Sequence, residues 1–152
     1  MGPQQPKIAV IGAGMSGVAV GYYLKQAGLD SFTIFEKSEG VGGTWHLHSY
    51  PGLCCDVPSH LYSYSFERNP NWSHIFSPRA EIEAYFQMAS KKHCIDPHIR
   101  LSTGVKTAAY NDAGHWDLEL ENGERHEFQF VISAIGGLFE PQLPEIPGIE
   151  TF

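Results

Sequence analysis

The chain has 152 residues, one domain's worth, of which 42% are hydrophobic and 18% charged, a balance that excludes disordered and collagen-like classes. Seventeen acidic against 10 basic side chains leave a formal charge of -7, which argues against nucleic acid as a partner. No basic run suggests a membrane surface, no apolar run could span a bilayer as a helix, and three cysteines make no disulfide framework, so the expected location is the cytoplasm.

Residues 1–6 carry Pro3 and Pro6 among polar neighbours and read as a disordered start. Ile8-Ala9-Val10-Ile11 then predicts a buried strand that runs straight into Gly12-Ala13-Gly14-Met15-Ser16-Gly17. A strand that turns sharply into a helix needs glycine three times: for the turn, for backbone approach to a pyrophosphate, and for helix packing. The helix N-terminus behind them offers unpaired N–H groups to the phosphates. Gly28 ends that helix, and Ser31 to Phe35 reads as a second strand that stops at Glu36. An acidic residue about 20 positions after the glycines accepts hydrogen bonds from an adenosine ribose. It repels a 2'-phosphate, so the site favours FAD or NAD over NADP.

After Glu36, Gly40, Gly42 and Gly43 let the backbone turn closely past a ligand, and Trp45 offers a flat wall. A simple NAD-binding unit would soon enter a second crossover helix and a third parallel strand. Here residues 46–76 instead form a long aromatic segment, and segments of that kind are usually functional. His46, His48, His60, Cys54 and Cys55 match no zinc spacing, so no metal is expected. Ser77 is placed as an N-cap with Pro78 in the first helical turn, and Ile82, Tyr85, Phe86 and Ala89 recur at helical spacing as a packing face.

From Val105 the period changes to two. Val105 to Tyr110, Trp116 to Leu120 and Arg125 to Gln129 predict a three-stranded antiparallel meander, with a hairpin turn at Asn122-Gly123. Phe130 to Gly137 reads as a central parallel strand that returns to the first sheet, its end facing the cofactor crevice. Residues 141–152, with Pro141, Pro144 and Pro147, form a stiff exit. The fold class is α/β: a Rossmann-like parallel sheet with helices plus a three-stranded antiparallel meander, in an incomplete form that could expose an apolar face and self-associate.

Taken together, Gly12 to Gly17, Glu36-Lys37, Gly42-Gly43-Thr44-Trp45, Tyr50-Pro51-Gly52, Cys55-Asp56-Val57-Pro58-Ser59 and Pro144-Glu145-Ile146-Pro147-Gly148 resemble the class B flavoprotein monooxygenases. That family comprises the Baeyer–Villiger and flavin-containing monooxygenases, and the detail leans towards the Baeyer–Villiger side. The resemblance implies an FAD-binding N-terminal portion of an enzyme in which NADPH reduces FAD and O2 supplies one oxygen atom. That atom goes beside a ketone carbonyl or onto a soft nitrogen or sulfur of a small molecule.

Carried over by position, Gly12, Gly14, Met15, Ser16 and Gly17 line the FAD pyrophosphate and Glu36 the ribose, with Lys37 at its edge. Gly43, Thr44 and Trp45 approach the flavin, Tyr62 lies near it, Val105 meets the adenine through its backbone, and Ala134 and Gly136 end a strand against the cofactor. Asp56 corresponds to the active-site aspartate that holds an arginine beside the isoalloxazine. The chain departs from the family at His46-Leu47-His48-Ser49 and at Ala134-Ile135-Gly136, where Ala-Thr-Gly is common. A second glycine-rich fold for NADPH does not occur within these 152 residues. Two other readings stay open: a stand-alone FAD-binding module without oxygenase activity, and a small NAD-dependent oxidoreductase.

Overall fold

The structure, a computed structural model, describes residues 5–138 and 142–151. The parts of the expected disordered start at 1–4 and of the exit at Pro141 and Phe152 lie outside the described residues. Gln5, expected within the disordered start, is bonded: its amide group donates to Gly28 O and accepts from the N–H groups of Asp30 and Ser31.

A four-stranded parallel sheet forms the middle layer. Its strands are β1 (Ile8–Ile11), β2 (Phe32–Phe35), a two-residue β3 (Ile99–Arg100) and β7 (Phe130–Ser133), in the order β3-β2-β1-β7. Alternate residues of a strand point to opposite faces, and the core divides accordingly. Ile8 and Val10 pack with Phe32, Ile34 and Ile95 beneath helix α1 (Met15–Gln26). Ala9 and Phe35 turn the other way, onto Leu118, Leu120 and Phe128. Those three belong to the second sheet, the antiparallel meander β4 (Val105–Tyr110), β5 (Trp116–Leu120) and β6 (Arg125–Phe128). Helices, parallel sheet and meander thus stack in three layers.

The third parallel strand does occur, but late. Between β2 and β3 lie a short helix α2 (Thr44–Leu47), the aromatic segment and helix α3 (Arg79–Lys92). Parallel neighbours need a crossover connection, and α3 supplies its helix. Two residues of β3 carry no periodicity, so only the ladder shows the strand: Glu36 N donates to Arg100 O and Thr103 N to Glu36 O.

The aromatic segment is largely core. Tyr64 is buried, its hydroxyl donates to Met15 O in α1, and the Phe66 ring stacks between Tyr64 and Tyr22. On α3, Ile82, Tyr85, Phe86 and Ala89 are buried beneath it, as their spacing predicts.

The N-cap of α3 is Pro78, whose extended backbone (φ -69, ψ 156) precedes the first helical residue. Ser77 is not the cap, because its hydroxyl and N–H are both engaged by the Ser59 hydroxyl. Strand β7 runs only to Ser133 and, among the described residues, pairs with β1 alone, which makes it an edge rather than a central strand.

The two sheets are tied at the surface by Arg100 of β3, whose guanidinium lies 2.9 Å from Glu124. Hydrogen bonds from His126, Arg100 and Asn122 pull the Glu124 carboxyl from its ordinary 4.5 down to about 2, and those from Lys106 and Arg125 lower that of Glu119. A carboxyl depressed on folding stabilises the fold fully above its unfolded value and loses that contribution as pH falls through the folded one. The melting temperature is therefore expected to fall as the pH is lowered from about 5 to about 2. Glu124→Gln and Glu119→Gln should flatten that slope in differential scanning calorimetry.

Candidate functional site

A cleft of about 480 Å3 opens at the C-terminal ends of β1, β2 and β7. Open parallel sheets bind ligands there, at the point where neighbouring connections leave in opposite directions. Its floor is the turn from β1 to α1, with Gly12, Gly14, Met15 and Ser16 exposed to it. Among the described residues, no side chain caps the N-terminus of α1. The first N–H groups of that helix are thus left to a ligand, and its dipole favours an anion.

The second wall is the loop that leads into α2. A Cβ on Gly14 would lie 3.4 Å from the Gly43 Cα, and one on Gly43 would lie 3.0 Å from the Gly14 Cα. The two backbones nearly touch, so a side chain at either position would fill the cradle between them. Thr44, Trp45 and Leu47 continue that wall, and Tyr62 faces the cleft beside Trp45.

Trp45 Nε1–H donates to the Tyr62 hydroxyl at 3.0 Å. Burial raises the Tyr62 pKa; the Trp45 hydrogen bond lowers it, and the nearby Cys55 and Asp56 raise it further. The phenol stays protonated, and since an indole can only donate, the Tyr62 O–H remains available as a donor.

At the other end lies Glu36, buried beneath the floor. Its Oε2 accepts from Ala13 N at 2.7 Å, and its Oε1 accepts from both Ser38 N and Ser38 Oγ at 2.8 Å. A carboxylate has about four acceptor sites. Three are taken, and the one left is on Oε2. Lys37, Gly104, Val105 and Glu121 line the cleft beyond it.

Of the residues singled out from sequence, Gly12, Gly14, Met15, Ser16, Glu36, Lys37, Gly43, Thr44, Trp45, Tyr62, Val105, Ala134 and Gly136 come together around this cleft. Gly17 does not line it. It is buried against the turn, where a Cβ would lie 1.9 Å from Gly12 O. Asp56 is exposed and also outside the lining. Glu121, Leu47 and Leu138 were not anticipated as lining residues. Glu121 sits in a hairpin turn, and nothing in its neighbours connects it with a glycine loop over 100 positions earlier. Among the described residues, the side chains whose metal-ligating atoms converge are His115, Asp117 and Glu127 on the meander, not the histidines and cysteines of 46–60.

Helix α2 is held by a polar clamp from α3. His46 Nδ1 lies 2.8 Å from Glu83 Oε1, Arg79 lies 3.0 Å from Glu83 Oε2, and Arg79 Nη2 donates to His46 O. His46→Ala removes one arm while Arg79 still holds Glu83. A loss of about 1 kcal/mol in stability is expected, with a change in tryptophan fluorescence as Trp45 loosens, both read in a urea titration.

Residues 10–78 match the family described as NAD(P)-binding Rossmann-like domain. Over 147 residues the chain is 41% identical to a Baeyer–Villiger monooxygenase of Pseudomonas aeruginosa and 40% identical to one of Streptomyces coelicolor, covering 96% of this chain in each case. It spans only 28% of the length of each. The fold is similar to the crystal structure of OTEMO in complex with FAD and NADP, with a TM-score of 0.85 and 33% identity over 98% of this chain and 29% of that one. Among the described residues, no helix is long and apolar enough to cross a membrane.

Proposed function

We propose that this chain, a homologue of the Baeyer–Villiger monooxygenases that corresponds to their N-terminal part, binds FAD in the cleft and forms the FAD-binding part of an NADPH-dependent flavin monooxygenase. The observation that carries the reading is the convergence of an uncapped helix N-terminus, the Gly14 and Gly43 backbone cradle and the Glu36 carboxylate on one cleft. These features fit the group. The N–H groups of α1 hold the pyrophosphate, the remaining Oε2 site of Glu36 takes one ribose hydroxyl, and Trp45, Leu47, Ile135 and Leu138 give an apolar wall for a ring system.

When bound, FAD supplies the redox and oxygen chemistry, with NADPH as reductant and a small ketone, amine or sulfide as substrate of the whole enzyme. The residues of this chain bind and orient it. Trp45 fixes Tyr62 so that its O–H is presented to the cleft, and the close packing of Gly43 on Gly14 lets the backbone of both approach the pyrophosphate. Asp56, exposed beside Tyr62, presents its carboxylate to a cation brought by a neighbouring part of the enzyme. Cys54, Cys55 and Cys94 are free thiols, which suits a reducing cytoplasm. The isolated chain is expected to self-associate through the edge of β7 and the segment that follows it, where Phe130, Ile135 and Leu138 are exposed.

Equilibrium dialysis of the chain against equimolar FAD and NAD tests the reading. Retention of FAD supports it. Retention of NAD in preference would replace it with the dehydrogenase reading.

A further inference from the structure

Dinucleotide sites of this kind place the pyrophosphate at the helix N-terminus and the adenosine ribose on the acidic residue that ends the second strand. The base must then lie beyond Glu36, where Lys37, Gly104, Val105 and Glu121 line the cleft. Glu121 differs from its neighbours in the meander. Glu119 is paired with Lys106 and Arg125, and Glu124 with Arg100 and His126, whereas no described residue contacts the Glu121 carboxylate through a hydrogen bond or an ion pair.

Its position is nevertheless defined. Glu121 N donates to Gly104 O at 2.9 Å, and Val105 is registered with Leu120 across the strands. The carboxylate folds over the bare Cα of Gly104, where a Cβ would lie 2.4 Å from Glu121 Cδ. Glu121 is exposed, and among the described residues its carboxylate has no partner, so a solvent-facing anionic acceptor stands at the base end of the cleft. The pyrophosphate and one ribose hydroxyl are provided for by α1 and Glu36, and an acceptor-only group farther out, beside Val105, suits a donor on the base itself.

We propose that Glu121 reads the base: its carboxylate accepts a hydrogen bond from the 6-amino group of adenine and so selects adenine dinucleotides over those whose base lacks that group. The proposal rests on the FAD reading above. A hydrogen bond to a charged acceptor distinguishes ligands by about tenfold or more.

The test compares the affinity of the 152-residue chain for FAD, for its purine analogue in which hydrogen replaces the 6-amino group, and for FMN, which has no base. The unsubstituted chain should favour FAD over the purine analogue by about tenfold or more. Glu121→Ala should bring that ratio to about one without changing the FMN affinity, and Glu121→Gln, a neutral acceptor of the same shape, should give an intermediate ratio. A ratio unchanged by Glu121→Ala, with FAD still bound, overturns the role of Glu121 alone. Failure of the unsubstituted chain to bind FAD overturns the cleft reading and this proposal with it.

Discussion

Glu36→Ala is expected to cost about 2–4 kcal/mol of stability and to reduce FAD affinity by about a hundredfold. The two effects have separate causes. The carboxylate holds Ala13 N on one oxygen and Ser38 N and Oγ on the other, so its removal leaves the buried Ala13 N–H and the part-buried Ser38 N–H without acceptors, while the Ser38 hydroxyl keeps Gly40 O. The ribose contact is lost in addition. Glu36→Gln should be almost as damaging, because each carboxylate oxygen faces a backbone N–H and an amide can present an acceptor to only one of them. Urea unfolding and an FAD titration on both variants check this. A stable Glu36→Gln variant would show that the carboxylate serves only the ligand.

Gly17→Ala is expected to destabilise the chain by about 3 kcal/mol or more, enough to leave much of it unfolded at ordinary temperatures. The added Cβ would lie 1.9 Å from Gly12 O and 2.9 Å from Gly12 C. Both are backbone atoms of the turn that forms the cleft floor, and neither can swing aside as a flexible side chain could. Relief requires α1 to move away from the turn, which also withdraws the N–H groups from the pyrophosphate site. Thermal unfolding measures the effect. A Gly17→Ala chain that melts like the parent would mean that α1 packs less closely on the turn than the structure shows.

These two residues also mark what is legible in the sequence. The glycine turn and Glu36 stand at fixed offsets within one local unit, and each glycine has a steric reason that does not depend on distant residues. The meander was equally readable, since a period of two and the Asn122-Gly123 turn are local signals, and β4, β5 and β6 follow the expected boundaries to within one residue.

What escaped is what depends on tertiary context. Two residues are too few for β3 to show a period, so the crossover through α3 could not be read as such. Ser77 has the chemistry of an N-cap but is drawn away by Ser59, 18 positions earlier. The aromatic segment reads as a loop because its order comes from Tyr22, Tyr85 and Phe86 on the two helices around it. Glu121 reaches the cleft only because the meander packs on the opposite face of the parallel sheet from α1.

A crystal structure of the chain grown with FAD shows where the cofactor lies. The pyrophosphate is expected against the N–H groups at the start of α1, one ribose hydroxyl on Glu36 Oε2, and the flavin beside Trp45 and Tyr62. FAD bound elsewhere, or in this cleft with the flavin at the Glu121 end, would contradict this placement.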